Sequence, residues 1–158
     1  MLGALCILLC LPGCEDGLQP IPFQGASGRV RFQGAVPDST EWVRLAVYQR
    51  VPHSASDLLG FAAFSDTLPV GAGESPFALP LGAGTYEWMP VVWKRADAPL
   101  SPASLRVMGW YSGTAGVFAE PRSFTVEAGR ETSGIDIVAD FATLLAPEEA
   151  LAMLEGGG

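Results

Sequence analysis

The segment Ile135-Asp-Ile-Val-Ala-Asp-Phe141 carries Ile135, Ile137, Ala139 and Phe141 at every second position, with Asp136, Val138 and Asp140 between them. A repeat of two belongs to an extended chain, whose successive side chains point to opposite faces of a sheet; on a helix the same apolar residues would scatter around the cylinder. The pattern recurs. Trp42 to Tyr48 places Val43, Leu45 and Val47 on one face and Trp42, Arg44 and Tyr48 on the other. Shorter bursts at Arg29–Phe32, Phe77–Leu79, Thr85–Trp88, Val91–Trp93, Leu105–Tyr111 and Ser123–Glu127 stand between Gly, Pro, Asp and Ser turn signals. The 19 glycines and 13 prolines show no collagen-like period and so punctuate these elements. With Thr85–Trp88 and Val91–Trp93 counted together across Pro90, which marks a bulge or an edge, the reading is about seven strands, with an eighth at Leu58–Phe64. Each apolar face needs a cover, which predicts an all-β fold, a single antiparallel β-sandwich spanning 27–141.

Only the carboxyl end reads as helical, within a final segment 142–158. Pro147-Glu148-Glu149 puts proline and acids in a first turn, where the missing donor and the helix dipole favour them, and Gly156–Gly158 form a glycine tail. Two or three turns are marginal alone, so this helix docks on the sandwich or frays.

At the amino end, Leu2 to Leu11 is an apolar run interrupted by Gly3 and followed by Leu11-Pro12-Gly13-Cys14. About ten apolar residues are too few to span a hydrocarbon core near 30 Å thick, but they suit an export signal. A small residue followed at once by cysteine resembles the lipobox of bacterial lipoproteins. The resemblance implies that 1–13 is a signal peptide and that Cys14 becomes the first mature residue, carrying acyl chains. Several chains are needed because one gives only reversible attachment. Two positions depart from the family pattern: Pro12 stands where a small residue is usual, and no Lys or Arg precedes the apolar run. A start upstream would supply the missing positive region. Residues 14–26, with Pro20, Pro22, Gly17 and Gly25, read as a flexible tether. Cys6, Cys10 and Cys14 are the only cysteines. The mature chain would then keep one, itself acylated, and form no internal disulfide. Localisation follows from the same resemblance: a bacterial cell envelope, periplasmic or surface-facing, with membrane lipid as the partner of Cys14.

Within the strand region, Ser75-Pro-Phe-Ala-Leu-Pro-Leu-Gly-Ala-Gly-Thr-Tyr86 runs an apolar strand into a Gly-x-Gly-Thr-Tyr turn. That phrase resembles the transthyretin-like (prealbumin-like) sandwich, the carboxypeptidase regulatory-like domain. Gly28-Arg29-Val30 matches the family's opening strand and Val43–Val47 its middle strand. Phe124-Thr-Val-Glu-Ala-Gly129 and Gly134-Ile-Asp-Ile137 match its closing strands. Immunoglobulin-like sandwiches use similar grammar. Glycine suits such a turn by its freedom at positive φ, and the tyrosine ring can pack beneath the corner. The Pro-rich insert 95–104 and the Gly-rich stretch 109–116 depart from the pattern.

The chemistry-bearing residues are sparse. With 49% apolar and 16% charged residues the chain is built to fold, and a formal charge of −8 argues against nucleic acid as a partner. His53, the single histidine, sits between Pro52 and Ser54 with Asp57 nearby, but a triad requires groups meeting across a fold and an oxyanion hole, so His53 reads as a turn residue. The histidines and terminal tetrapeptide of the family's hydrolase member are unmatched. One His and one acylated Cys leave too few donors for zinc or copper. Asp136 and Asp140 share a strand face about 13 Å apart, too far to share an ion. Gly71-Ala-Gly73 and Gly82-Ala-Gly84 lack the helix and lysine of a phosphate loop. No catalytic residue, metal or cofactor is expected. The aromatic residues Trp42, Tyr48, Trp93 and Trp110 are the candidate ligand-binding set, since exposed flat rings stack on sugars or anchor proteins. The competing reading has the tryptophans sealing the core of a small disulfide-free sandwich. The sequence therefore predicts a lipid-anchored, non-catalytic binding or structural module with a protein or glycan partner, the alternative being a carbohydrate-binding module that uses a Trp/Tyr sheet face.

Overall fold

A computed structural model describes residues 23–54 and 56–156; Cys14 and the tether up to residue 22 lie outside them. Among the described residues nine strands and one α-helix follow in order: β1 (Gly25–Gln33), β2 (Thr40–Val47), β3 (Ala63–Phe64), β4 (Glu74–Pro80), β5 (Gly84–Tyr86), β6 (Pro90–Arg95), β7 (Leu105–Trp110), β8 (Phe124–Val126), β9 (Glu131–Asp140) and α1 (Pro147–Gly156). They form an all-β sandwich. One sheet has the order β4-β1-β9, the facing sheet β3-β2-β6-β7, and β5 and β8 make a small pair of their own. The pairings are antiparallel except that β1 and β9 run parallel. Alternation tells which face a strand buries and is blind to its direction, so the sequence carries no sign of this exception.

The principal core lies between the sheets. Val43, Leu45 and Val47 of β2 meet Ile135, Ile137 and Ala139 of β9, all with exposures of 1% or less. Both alternations read from the sequence therefore point inward as expected. Pro90 does mark an irregularity, since the β6–β7 register shifts between Pro90 and Val92. The expected eighth strand is shorter than its segment: a 3-10 turn takes Asp57–Leu59 and only Ala63–Phe64 pairs with β2. Tyr86 packs beneath the corner after β4. Its ring stacks on Phe124 at 5.3 Å and its hydroxyl donates to the Gly82 carbonyl at 2.9 Å. The strands on either side of that corner belong to different pairs, so Gly82–Gly84 is a crossover between layers and not a hairpin.

Two glycines mark places where backbones approach too closely for a side chain. A Cβ on Gly28 would lie 1.9 Å from the Ile135 carbonyl oxygen, where the parallel register shifts between Ala26 and Gly28. A Cβ on Gly109, at φ +151°, would lie 2.2 Å from the Val138 carbonyl oxygen, where β7 meets β9 at the side of the sandwich.

The outer face of the β3-β2-β6-β7 sheet carries a second apolar cluster. It includes Ala46, Tyr48, Trp88, Val92, Val107 and Trp110 and draws in Ala150 and Leu151 from α1. The helix thus docks. Before it, Leu145 and Val107 exchange both backbone hydrogen bonds at 2.9 Å, tying the approach to the β7 edge. Glu149 then accepts the Ala146 amide at 2.7 Å, satisfying a donor at the helix start. On the same sheet Lys94 is buried, its ammonium paired with Glu41 and donating to the Arg95 carbonyl at 3.2 Å. That pairing is what permits a charge at this depth.

Candidate functional site: an apolar groove on the outer sheet face

The helix covers only part of the outer face. Over β2 and β6 the cover comes from two loops, one running through Asp57–Leu59 to Phe61 and the other through Leu100 to Pro102–Ser104. They do not close. Between them lies a groove of about 600 Å³. Its floor is Ala46 and Val92, small side chains with the larger Trp42 and Tyr48 on either side along the strand direction. From Trp42 to Tyr48 the strand advances six residues, about 20 Å at the usual rise.

The mouth is unusually apolar. Leu59 is 68% exposed, Phe61 43% and Leu100 73%. Among the described residues these are three of the five large hydrophobic side chains left in water, and all three border this groove. Scattered exposed leucines need no explanation, but their concentration on one concavity marks a binding surface.

One charged side chain enters the lining. Arg44 projects from β2 with its guanidinium 5.1 Å from the Trp42 ring centre and 5.4 Å from that of Phe64. Trp42 and Phe64 meet edge to face at 5.6 Å, so the cation lies over an aromatic corner. Its Nε donates to Thr67 Oγ1 at 3.3 Å. Among the described residues no carboxylate stands within 4 Å of it, whereas Arg29, Arg31, Lys94 and Arg130 each have one.

The four aromatic residues singled out from the sequence divide. Trp42 and Tyr48 both line the groove, as their shared strand face requires. Tyr48 is almost wholly buried there; its hydroxyl donates to the Leu58 carbonyl at 2.8 Å and burial pushes its pKa up to about 12. Trp93 points the other way, into the principal core, with its Nε1 donating to Thr40 Oγ1 at 2.9 Å. Trp110 is 2% exposed and donates to the Ala119 carbonyl at 2.6 Å. For these two the sealing role is the one the structure displays, which leaves Trp42 and the edge of Tyr48, of the four candidates, on the groove. Leu59, Phe61 and Leu100 were not singled out from the sequence: the first two fall in the segment read as an eighth strand and the third in the Pro-rich insert, and all three belong to connections without a period. Their signal was apolar residues, as in Leu58-Leu59-Gly60-Phe61, stranded among turn formers.

Around His53, Asp57 accepts a hydrogen bond from the histidine's backbone amide at 3.3 Å, while Ser54 and Ser56 bond each other at 2.8 Å. The carboxylate therefore fixes a turn and does not orient the imidazole ring. Among the described residues no three His, Cys, Asp or Glu side chains gather in a group able to hold a metal ion, and no helix is long and apolar enough to cross a membrane. Asp136 faces Arg31 at 3.8 Å, and Asp140 accepts the Ala142 amide at 2.8 Å.

Comparison with protein-family models, with curated proteins and with solved structures returns no match.

Proposed function

We infer that this chain is a lipid-anchored, non-catalytic binding module of the bacterial cell envelope, a transthyretin-like sandwich that presents its outer-face groove to an apolar partner. The observation that carries the binding role is the clustering of Leu59, Phe61 and Leu100 around a preformed concavity in a sandwich whose other apolar faces are covered. The anchoring role is supported by the apolar run ending in Gly13-Cys14. Acyl chains would confine the domain to a membrane surface and raise the local concentration at which the groove meets its partner.

Metabolic labelling with a clickable palmitate analogue tests the anchor. Wild type should take up label, and Cys14→Ala should not; an unlabelled wild type or a labelled variant overturns it. A glycan reading of the same face rests on Trp42, the one half-exposed tryptophan. Quenching of tryptophan emission by cell-wall polysaccharide, lost in Trp42→Ala, would favour that reading over an apolar partner.

A further inference from the structure

We propose that the groove binds the single alkyl chain of an anionic amphiphile, a long-chain carboxylate, with Arg44 receiving its head group. The proposal deepens the binding role given above and rests on it, but it adds a specific chemistry. Beyond Arg44 the apolar floor runs four residues to Tyr48, about 13 Å at the usual rise, which suits a linear chain better than a compact ring system. Ala46 and Val92 keep that floor low, and Leu59, Phe61 and Leu100 would be withdrawn from water by the same ligand.

Charge selects the head. Arg44 is the groove's one charged side chain, it is half-buried, and no carboxylate of the described residues lies within 4 Å. Its Nε is engaged by Thr67, which fixes the guanidinium plane and leaves the terminal N–H groups as donors without an acidic acceptor. A carboxylate is the planar acceptor that matches such a fork. The surrounding protein carries a formal charge of −8, so an anion is repelled by the surface at large, and within the groove Arg44 is the cation that meets it.

Isothermal titration of the purified full chain with dodecanoate, below its micelle-forming concentration, tests the proposal. Dodecanol serves as the uncharged control. Saturable one-to-one binding of dodecanoate is expected, tighter than that of dodecanol. Arg44→Gln should weaken dodecanoate about tenfold and leave dodecanol unchanged, as loss of one charge-assisted contact predicts. Leu100→Glu, a change at a 73% exposed position that the core does not feel, should weaken dodecanoate more than dodecanol by placing like charge at the mouth. Equal binding of both probes, with Arg44→Gln silent, overturns the anionic head while leaving the apolar groove intact. Binding of neither probe overturns the groove itself. Adsorption only to phosphatidylglycerol vesicles, with no binding of monomeric dodecanoate, overturns the proposal in favour of a membrane-facing surface.

Discussion

Replacing Tyr48 by phenylalanine should remove a specific loss of stability above about pH 10. Tyr48 is 5% exposed, packed against Trp88 at 5.2 Å, and its ionisation is pushed from 10.0 to about 12 by burial. The unfolded chain holds this proton with the ordinary affinity and so releases it first. Between the two values the folded state binds more protons than the unfolded one, and stability falls as pH rises. Below about pH 10 the contribution is fully present. Working through the linkage, Tyr48 accounts for about 1.4 kcal/mol of lost stability by pH 11 and about 2.3 kcal/mol by pH 12. Urea denaturation at intervals between about pH 8 and pH 11.5, on wild type and Tyr48→Phe, isolates the effect, because the other titrating groups are common to both. At neutral pH the variant should be less stable by about 1 kcal/mol, having lost the bond to the Leu58 carbonyl. That deficit should shrink with rising pH and then reverse. Parallel curves for the two proteins would refute the reasoning, since they would mean that Tyr48 ionises as freely in the fold as out of it.

Gly28→Ala should cost more than the usual penalty of about 1–3 kcal/mol for overpacking, because the clashing atom, the Ile135 carbonyl oxygen at 1.9 Å, is backbone in the central pairing of its sheet. Thermal unfolding should show it, and a variant as stable as wild type would count against the close approach of β1 and β9. Leu151→Ala should destabilise by about 2–4 kcal/mol if α1 is an integral cover, since Leu151 is 7% exposed in the second cluster. A loss below about 0.5 kcal/mol would show a helix that frays without consequence.

The strands were legible where burial is one-sided. In β2 and β9 one face meets the opposite sheet, so selection for apolar residues acts on alternate positions and leaves a period to read. Val43, Leu45 and Val47 and their counterparts from Ile135 to Phe141 are the clearest cases. In β6 the residues Pro90 to Lys94 are buried on both faces, and Pro90 to Trp93 is a continuous apolar run with no alternation. The partnership of β1 with β9, the first strand with the last, involves residues about a hundred positions apart with no turn between them to reveal it. Trp42 and Tyr48 could be placed on one strand face by counting. That Trp93 and Trp110 turn inward could not, because a tryptophan that seals a core and one that faces a ligand occupy the same kinds of strand position.

The groove follows from a mismatch of areas. A four-stranded sheet has an outer face wider than one ten-residue helix can cover, and α1 lies over β7, held there by the Leu145–Val107 bridge. The remainder, above β2 and β6, still carries Trp42, Ala46, Tyr48 and Val92, so it must be shielded from water by whatever the connections supply. The β2–β3 connection supplies Leu58 and Phe61 and the β6–β7 connection supplies Leu100 and Pro102, and each stops short of the other. Two loops anchored on opposite sides of a sheet can leave a seam whose position is fixed by rigid strands while its walls adjust. Arg44 rises from the rigid strand β2, so the one charge in the seam is held in register with the floor and not carried on a loop. Preorganised in this way, it would lose little freedom on meeting an anion, which is why the charge of the probe and not its length should decide the effect of Arg44→Gln.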